Sequence, residues 1–130
     1  MKFYRCEKCG NIITFINDAG VTPVCCGETM KELKANSVDA TKEKHVPHVE
    51  IDGNKVNIQV GSDLHPMTNE HYITTIVLET NKKTYIKHLL PTEAPVVCFN
   101  LCDKEIPRVV YEYCNIHGLW ENCFDEEQGC

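Results

Sequence analysis

Four cysteines crowd the first 26 residues of this chain, as Cys6-x-x-Cys9 and the adjacent pair Cys25-Cys26. That density constrains the fold before any helix or strand is assigned. A unit of about 36 residues is too short to bury a self-sufficient core, and below roughly 40 residues a metal, disulfides or oligomerisation is usually required. The two-residue spacing of the first pair lets both sulfurs converge through one turn. The second pair has no spacer, and in an extended backbone adjacent side chains project in different directions. Four thiolates around one ion suit structural zinc or a single electron-transfer iron, and spacing alone leaves the two open. Free or oxidised thiols are the third reading.

The remaining 94 residues are long enough for an ordinary domain. They contain a second set of ligand types: His45, the His65-Pro66-Met67 and His71 cluster, and Cys114-x-x-His117. Neutral imidazoles suit iron, copper or zinc, and a thiolate adds strong donation. Four histidines and a cysteine exceed what tetrahedral zinc accepts, so iron with five or six ligands fits best. Each histidine alone is more often a surface or core residue. The combination is what carries the signal.

Charge excludes some classes. The net charge is −6, and residues 37–130 hold eight basic and fifteen acidic side chains. Nucleic-acid binding needs a basic face and is not expected. No signal-peptide core and no run of eighteen apolar residues is present, so a soluble cytoplasmic protein is expected. In that compartment nine cysteines read as metal ligands or free thiols.

The expected fold class is all-β. Residues 2–5 and 12–16 read as short strands around the Cys6–Cys9 turn, with Gly10 and Gly27 each following a cysteine where positive φ is needed. Residues 31–41 look like a linker. Ile51-Asp52-Gly53-Asn54-Lys55 carries a tight-turn signal, and Val56, Ile58 and Val60 alternate after it. Strands are also expected at 71–79, 85–90, 96–100 and 109–113, spaced as in a small sandwich or barrel, with no convincing helix. Residues 121–127 read as a solvated acidic tail.

The first module, with its vicinal Cys25-Cys26 pair, resembles desulforedoxin, which holds one iron on four cysteines. Glu43-Lys44-His45-x-Pro47, His65-Pro66-Met67, His71 and Cys114-Asn115-x-His117-Gly118-Leu119-Trp120 resemble the neelaredoxin-type superoxide reductase domain. Both modules in this order resemble the desulfoferrodoxin family of two-iron superoxide reductases. The resemblance implies a desulforedoxin-like module at 1–36 and an immunoglobulin-like β-sandwich reductase domain at 37–130. It implies one iron on Cys6, Cys9, Cys25 and Cys26. It implies a catalytic iron with His45, His65, His71 and His117 equatorial and Cys114 axial. The position opposite the sulfur takes superoxide, and in the ferric resting state the family places a glutamate there, corresponding to Glu43.

The implied activity is one-electron reduction of superoxide to hydrogen peroxide, with electrons from a rubredoxin-like donor and a homodimeric assembly. Superoxide is an anion approaching an acidic domain, so attraction must be local, and Lys44 beside His45 is the natural cation. The competing reading is a non-catalytic electron carrier or a zinc-stapled binding module.

The residues outside the motifs have plainer expectations. His48 is read as surface or outer-sphere and His88 as structural. Cys98 and Cys102 are read as small buried apolar residues. Cys123 and Cys130 are read as exposed thiols of the tail, with a disulfide between them the alternative, and Trp120 as packing near the Cys114 loop.

Overall fold

The computed structural model describes residues 1–124. The chain divides into two compact units, Met1–Lys34 and the residues from Ala35 onward. The regular secondary structure of both is almost wholly strand.

In the first unit, β1 (Phe3–Arg5) lies between β2 (Ile12–Thr14) and β5 (Lys31–Glu32), antiparallel to both. A short hairpin joins β3 (Val24–Cys25) to β4 (Glu28–Thr29). Its core is small: Tyr4, Cys6 and Met30 are buried, with Ile13, Phe15 and Cys25 packed against them. One cysteine sulfur is therefore part of the core itself, as expected where apolar side chains are too few. The linker expected at 31–41 begins later than the sequence suggested. Lys31 and Glu32 pair with Arg5 and Tyr4, and the Leu33 N–H donates to the Phe3 carbonyl at 2.8 Å. Backbone pairing needs no apolar period, so this strand left no hydrophobic signature.

The second unit is a two-sheet sandwich. It opens with one helical turn, α1 (Lys42–His45), and continues through β6 (Pro47–Asp52), β7 (Lys55–Val60), β8 (Ile73–Thr80), β9 (Thr84–His88), β10 (Val96–Asn100), β11 (Pro107–Cys114) and β12 (Gly118–Cys123). One sheet has the order β10-β7-β6 and the other β12-β11-β8-β9, all neighbours antiparallel. Val56, Ile58 and Val60 from the first sheet meet Ile73, Ile76, Leu78 and Val110 from the second in one buried cluster. The alternation read from 56–60 is the inward face of β7, as a period of two dictates. The turn expected near Gly53 is a two-residue hairpin loop, with Asp52 opposite Lys55 and Gly53 at φ 59°.

Three expectations need correction. The short helix at 42–45 was not anticipated, because a single turn shows no 3.6-residue period. Residues 121–123 are not tail: they complete β12, where Glu121, Asn122 and Cys123 pair with Tyr111, Val110 and Val109. Cys123 is accordingly half-buried and disulfide-bonded rather than an exposed thiol. Cys130 and the rest of the acidic stretch beyond Phe124 lie outside the described residues. Cys98 and Cys102 are exposed, not buried. Cys98 falls on the outward register of β10 opposite Asn57, and Cys102 sits in the loop after it. His48 is exposed as expected, 3.5 Å from Glu50, while His88 ends β9 with its side chain exposed.

Core packing carries a measurable consequence. Ile58, 2% exposed, should cost about 2–5 kcal/mol when cut to alanine, read as a lower urea midpoint. Ile86, 49% exposed on β9, should change stability by less than about 0.5 kcal/mol under the same substitution. Equal losses at both positions would contradict this placement of the core.

Candidate metal centres

Two groups of side chains converge closely enough to hold an ion. In each, the donor atoms all lie within 4.8 Å of one another.

The first group is Cys6, Cys9, Cys25 and Cys26. A tight turn carries the first pair: the Cys6 N–H donates to the Asn11 carbonyl at 2.9 Å, and the Gly10 N–H donates to the Cys6 carbonyl at 2.9 Å. Gly10 sits at φ 83°, a conformation that favours glycine. The vicinal pair solves its geometric difficulty through the backbone. Cys26 adopts φ 53°, in the left-handed region, so its side chain swings round instead of pointing away from Cys25. The Cys9 and Cys25 sulfurs are 3.6 Å apart, and those of Cys25 and Cys26 are 3.9 Å apart.

Amide and thiol donors surround these sulfurs. The Cys9 N–H lies 3.4 Å from Cys6 Sγ and Asn11 Nδ2 lies 3.7 Å from Cys25 Sγ. The Cys9 N–H lowers the Cys6 thiol to about 6, whereas the Cys9 sulfur, with Cys25 next to it, pushes Cys26 up to about 12. Sulfurs packed this tightly cannot all ionise without a cation among them. A cation that accepts four thiolates is what the donor set fits.

The second group is His45, His65, His71, Cys114 and His117. Four separate segments deliver it. His45 ends α1, His65 and His71 lie on the loop between β7 and β8, Cys114 ends β11, and His117 lies in the β11–β12 turn. The β11–β8 ladder shifts register between Tyr113 and Cys114, and such an irregularity re-aims the side chain that follows. Asn115 then ties the turn to the histidine loop. Its Oδ1 accepts from the Tyr72 N–H at 2.9 Å and its Nδ2 donates to the Glu70 carbonyl at 2.9 Å.

The inward atoms are close. His45 Nε2 lies 2.9 Å from His117 Nδ1 and 3.2 Å from His65 Nε2, and Cys114 Sγ lies 3.5 Å from His65 Nε2. The outward nitrogens are fixed: His45 Nδ1 is 2.7 Å from the Thr41 carbonyl and His65 Nδ1 is 2.7 Å from the Pro66 carbonyl. A carbonyl only accepts, so each Nδ1 carries the proton and each Nε2 turns a lone pair inward. Burial lowers the pKa of His45 and His71 and takes His65 down to about 4, which keeps the imidazoles neutral. His71 Nε2 is buried with no hydrogen-bond partner. A buried nitrogen without a partner, among neutral imidazoles and one thiol, is what a metal ion would satisfy. These residues fit a redox-active transition metal.

Glu43 and Lys44 are exposed on α1, immediately before His45. The Lys44 charge reaches the imidazoles, contributing to the lowered pKa of His45 and His71 after burial. The turn that carries both residues is clasped from behind. The Asp63 N–H donates to the Glu43 carbonyl at 3.1 Å, and the Gly61 N–H donates to the Val46 carbonyl at 3.2 Å. Gly61, at φ 81°, has no room for a side chain: a Cβ there would stand 2.7 Å from both the Glu43 carbonyl oxygen and Lys44 Cα.

Two residues near the site gave no motif in the sequence, and one of them is Gly61. Trp120 packs near the Cys114 loop as expected: its ring lies 5.0 Å from that of His45, and its Nε1 donates to the His117 carbonyl at 3.1 Å. Glu112, two residues before Cys114, is 1% exposed with both carboxyl oxygens unpartnered, and burial raises its pKa well above the usual carboxylate range. A charged residue amid Val109, Val110 and Tyr111 was the available signal.

Trp120 is the sole tryptophan of the chain, so its emission reports on this cluster. Adding iron to the metal-free protein should quench it as the metal is taken up. Uptake with unchanged emission would place the metal away from these histidines.

Residues 37–123 match the family model described as Desulfoferrodoxin, and residues 1–33 match the one described as Desulfoferrodoxin, N-terminal domain. A desulfoferrodoxin from Syntrophotalea carbinolica is 44% identical over 122 residues, covering 94% of this chain and 95% of that protein. Among solved structures, the superoxide reductase from Treponema pallidum superposes with a TM-score of 0.77 at 37% identity, over 92% of this chain and 98% of that one. The superoxide reductase (1Fe-SOR) from Giardia intestinalis superposes with a TM-score of 0.56 at 38% identity, over 64% of this chain and 98% of that one. With both of its units matched in order, the chain belongs to the desulfoferrodoxin family.

Proposed function

We propose that this chain is a superoxide reductase, which turns superoxide into hydrogen peroxide at the histidine–cysteine cluster. The observation that carries the reading is the convergence of four imidazoles and one thiol, with His71 Nε2 buried and unpartnered. Its family relatives include proteins named superoxide reductase. In this reading His45, His65, His71, His117 and Cys114 hold the catalytic iron, and Cys6, Cys9, Cys25 and Cys26 hold a second. Iron at the histidine–cysteine set would supply the one-electron couple that superoxide reduction requires.

The chain's own groups set the conditions for that chemistry. The backbone carbonyls of Thr41 and Pro66 lock two imidazoles in the donor tautomer. Burial raises the Cys114 thiol, so only a cation can hold this sulfur as thiolate, and a thiolate is the strongest electron donor of the set. The Cys114 sulfur also receives the His117 N–H at 3.4 Å, which moderates that donation. Lys44 is an exposed ammonium one residue from His45, where it offers a local attraction to an anion that the acidic domain otherwise repels. Glu43, on the same exposed turn, is the carboxylate available to the oxidised site. Reduction of superoxide to hydrogen peroxide consumes one electron and two protons. No superoxide is oxidised, so no dioxygen forms.

The electron donor in this reading is a rubredoxin-like protein. The assembly is a homodimer, in keeping with a first unit that buries only four hydrophobic residues. The compartment in this reading is the cytoplasm, where thiols stay reduced and available to a metal.

Pulse-generated superoxide tests the reading directly. The reduced, iron-loaded chain should be oxidised as superoxide disappears, yielding peroxide without dioxygen. Dioxygen release would indicate dismutation, and zinc in place of iron with no superoxide consumption would leave only a binding module. Lys44→Ala should slow the superoxide reaction by up to about tenfold at low salt and flatten its salt dependence. An unchanged rate would remove Lys44 from the mechanism. Glu43→Ala should shift the sulfur-to-iron absorption band of the oxidised protein, and an unmoved band would mean that this carboxylate never reaches the metal.

A further inference from the structure

Cys102 and Lys83 form a second reactive cluster, away from the histidines. Lys83 lies in the turn between β8 and β9, and Cys102 in the loop between β10 and β11. Strand β8 starts beside His71 and runs eight residues before reaching this turn. At about 3.3 Å per residue, the pair sits roughly 20–25 Å along the sandwich from the histidine cluster.

Lys83 Nζ approaches Cys102 Sγ to 3.0 Å, and both side chains are exposed. The other sulfur contacts described above run from 3.4 to 3.9 Å. The approach is held from both sides. The Lys83 N–H donates to Thr80 Oγ1 at 2.9 Å, and the Thr80 N–H donates to the Lys83 carbonyl at 2.9 Å. Glu105, only 8% exposed, anchors the other loop. Its carboxylate accepts from the Cys102 N–H at 3.0 Å, from the Tyr85 hydroxyl at 2.9 Å and from Thr80 Oγ1 at 2.6 Å. Thr80 thus touches both loops, and this ordered backbone keeps amine and sulfur within reach of each other.

We propose that hydrogen peroxide joins Lys83 and Cys102 through a covalent, thiol-reversible S–N bond. The Cys102 thiolate attacks one peroxide oxygen and the O–O bond breaks. The Lys83 ammonium gives a proton to the departing hydroxide, which leaves as water. Sulfur is now a sulfenic acid, oxidised by two electrons, and Lys83 is a neutral amine 3.0 Å away. The amine attacks sulfur, the S–OH bond breaks, and the hydroxyl leaves as a second water with a proton from nitrogen. In sum, one thiolate, one ammonium and one peroxide give one S–N bond and two waters. The Cys102 sulfur, foremost among several neighbours, raises the pKa of Lys83, and that hold on the proton ends once sulfur is a neutral sulfenic acid. Cys98 is equally exposed but lies opposite Asn57 on β10, and no described amine stands against its sulfur. The reductase reaction proposed above makes this oxidant, but the cross-link needs only peroxide, so the two readings fail separately.

The test treats the iron-loaded full-length protein with stoichiometric hydrogen peroxide, alkylates the remaining thiols after denaturation, and maps peptides by mass. The expected product is a linked peptide pair joining Lys83 to Cys102, two hydrogen atoms lighter than its reduced parts. Dithiothreitol should separate it, and it should be lost in Lys83→Arg, whose substitution lies on an exposed turn. Recovery of Cys102 as alkylated thiol to the same extent as Cys98 would overturn the proposal. So would a Cys98–Cys102 disulfide, or sulfinic acid at Cys102 with Lys83 unlinked.

Discussion

Lone pairs crowded at one point are the constraint on which the second unit turns. His45 Nε2, His65 Nε2 and His117 Nδ1 face one another at about hydrogen-bond distance, with the Cys114 sulfur beside them. The outward protons of His45 and His65 are already committed to backbone carbonyls, so these rings cannot relieve the crowding by turning over. A cation, which all these donors can face at once, resolves it. The same logic governs the first unit, where four sulfurs converge and only four hydrophobic residues are buried. In both places the fold sets up an electrostatic debt that a metal ion settles.

The sandwich holds that arrangement in place. Its packed interior, from Val56 to Val110, fixes the strand ends from which the donor side chains project. The register shift ahead of Cys114 and the Asn115 tie to the histidine loop then set direction at the scale of single side chains. Gly61 does the same for the turn bearing Glu43 and Lys44, where absence of a side chain is the requirement. Loops carry the donors, while sheets hold the loops in place.

The chemistry of the site also explains its exposure pattern. The donors His45, His65 and Cys114 are buried, which keeps imidazole neutral and leaves the sulfur dependent on a metal for its charge. Glu43 and Lys44, which the proposed function places where an anion arrives from solvent, are exposed. A small anionic substrate needs no enclosed pocket, only a local positive charge and an open approach.

Spacing in the sequence made both donor groups legible, because the residue types that bind metal are rare and were clustered. The inward face of β7 was equally legible, since alternation over 56–60 has one structural meaning. Burial of lone cysteines was not: whether Cys98 and Cys102 face core or solvent depends on strand register and loop path, which no local pattern encodes. Strands β5 and β12 were hidden for a related reason, as their pairing rests on backbone groups that every residue has. What the sequence by itself determined was which atoms can bind a metal. Only the tertiary structure decided where they point: through the left-handed Cys26, the clash-free Gly61, the ring of Trp120 against His45 and the meeting of Lys83 with Cys102. Each of those joins residues, or backbone angles, whose geometry is set by long-range packing and not by neighbours in the chain.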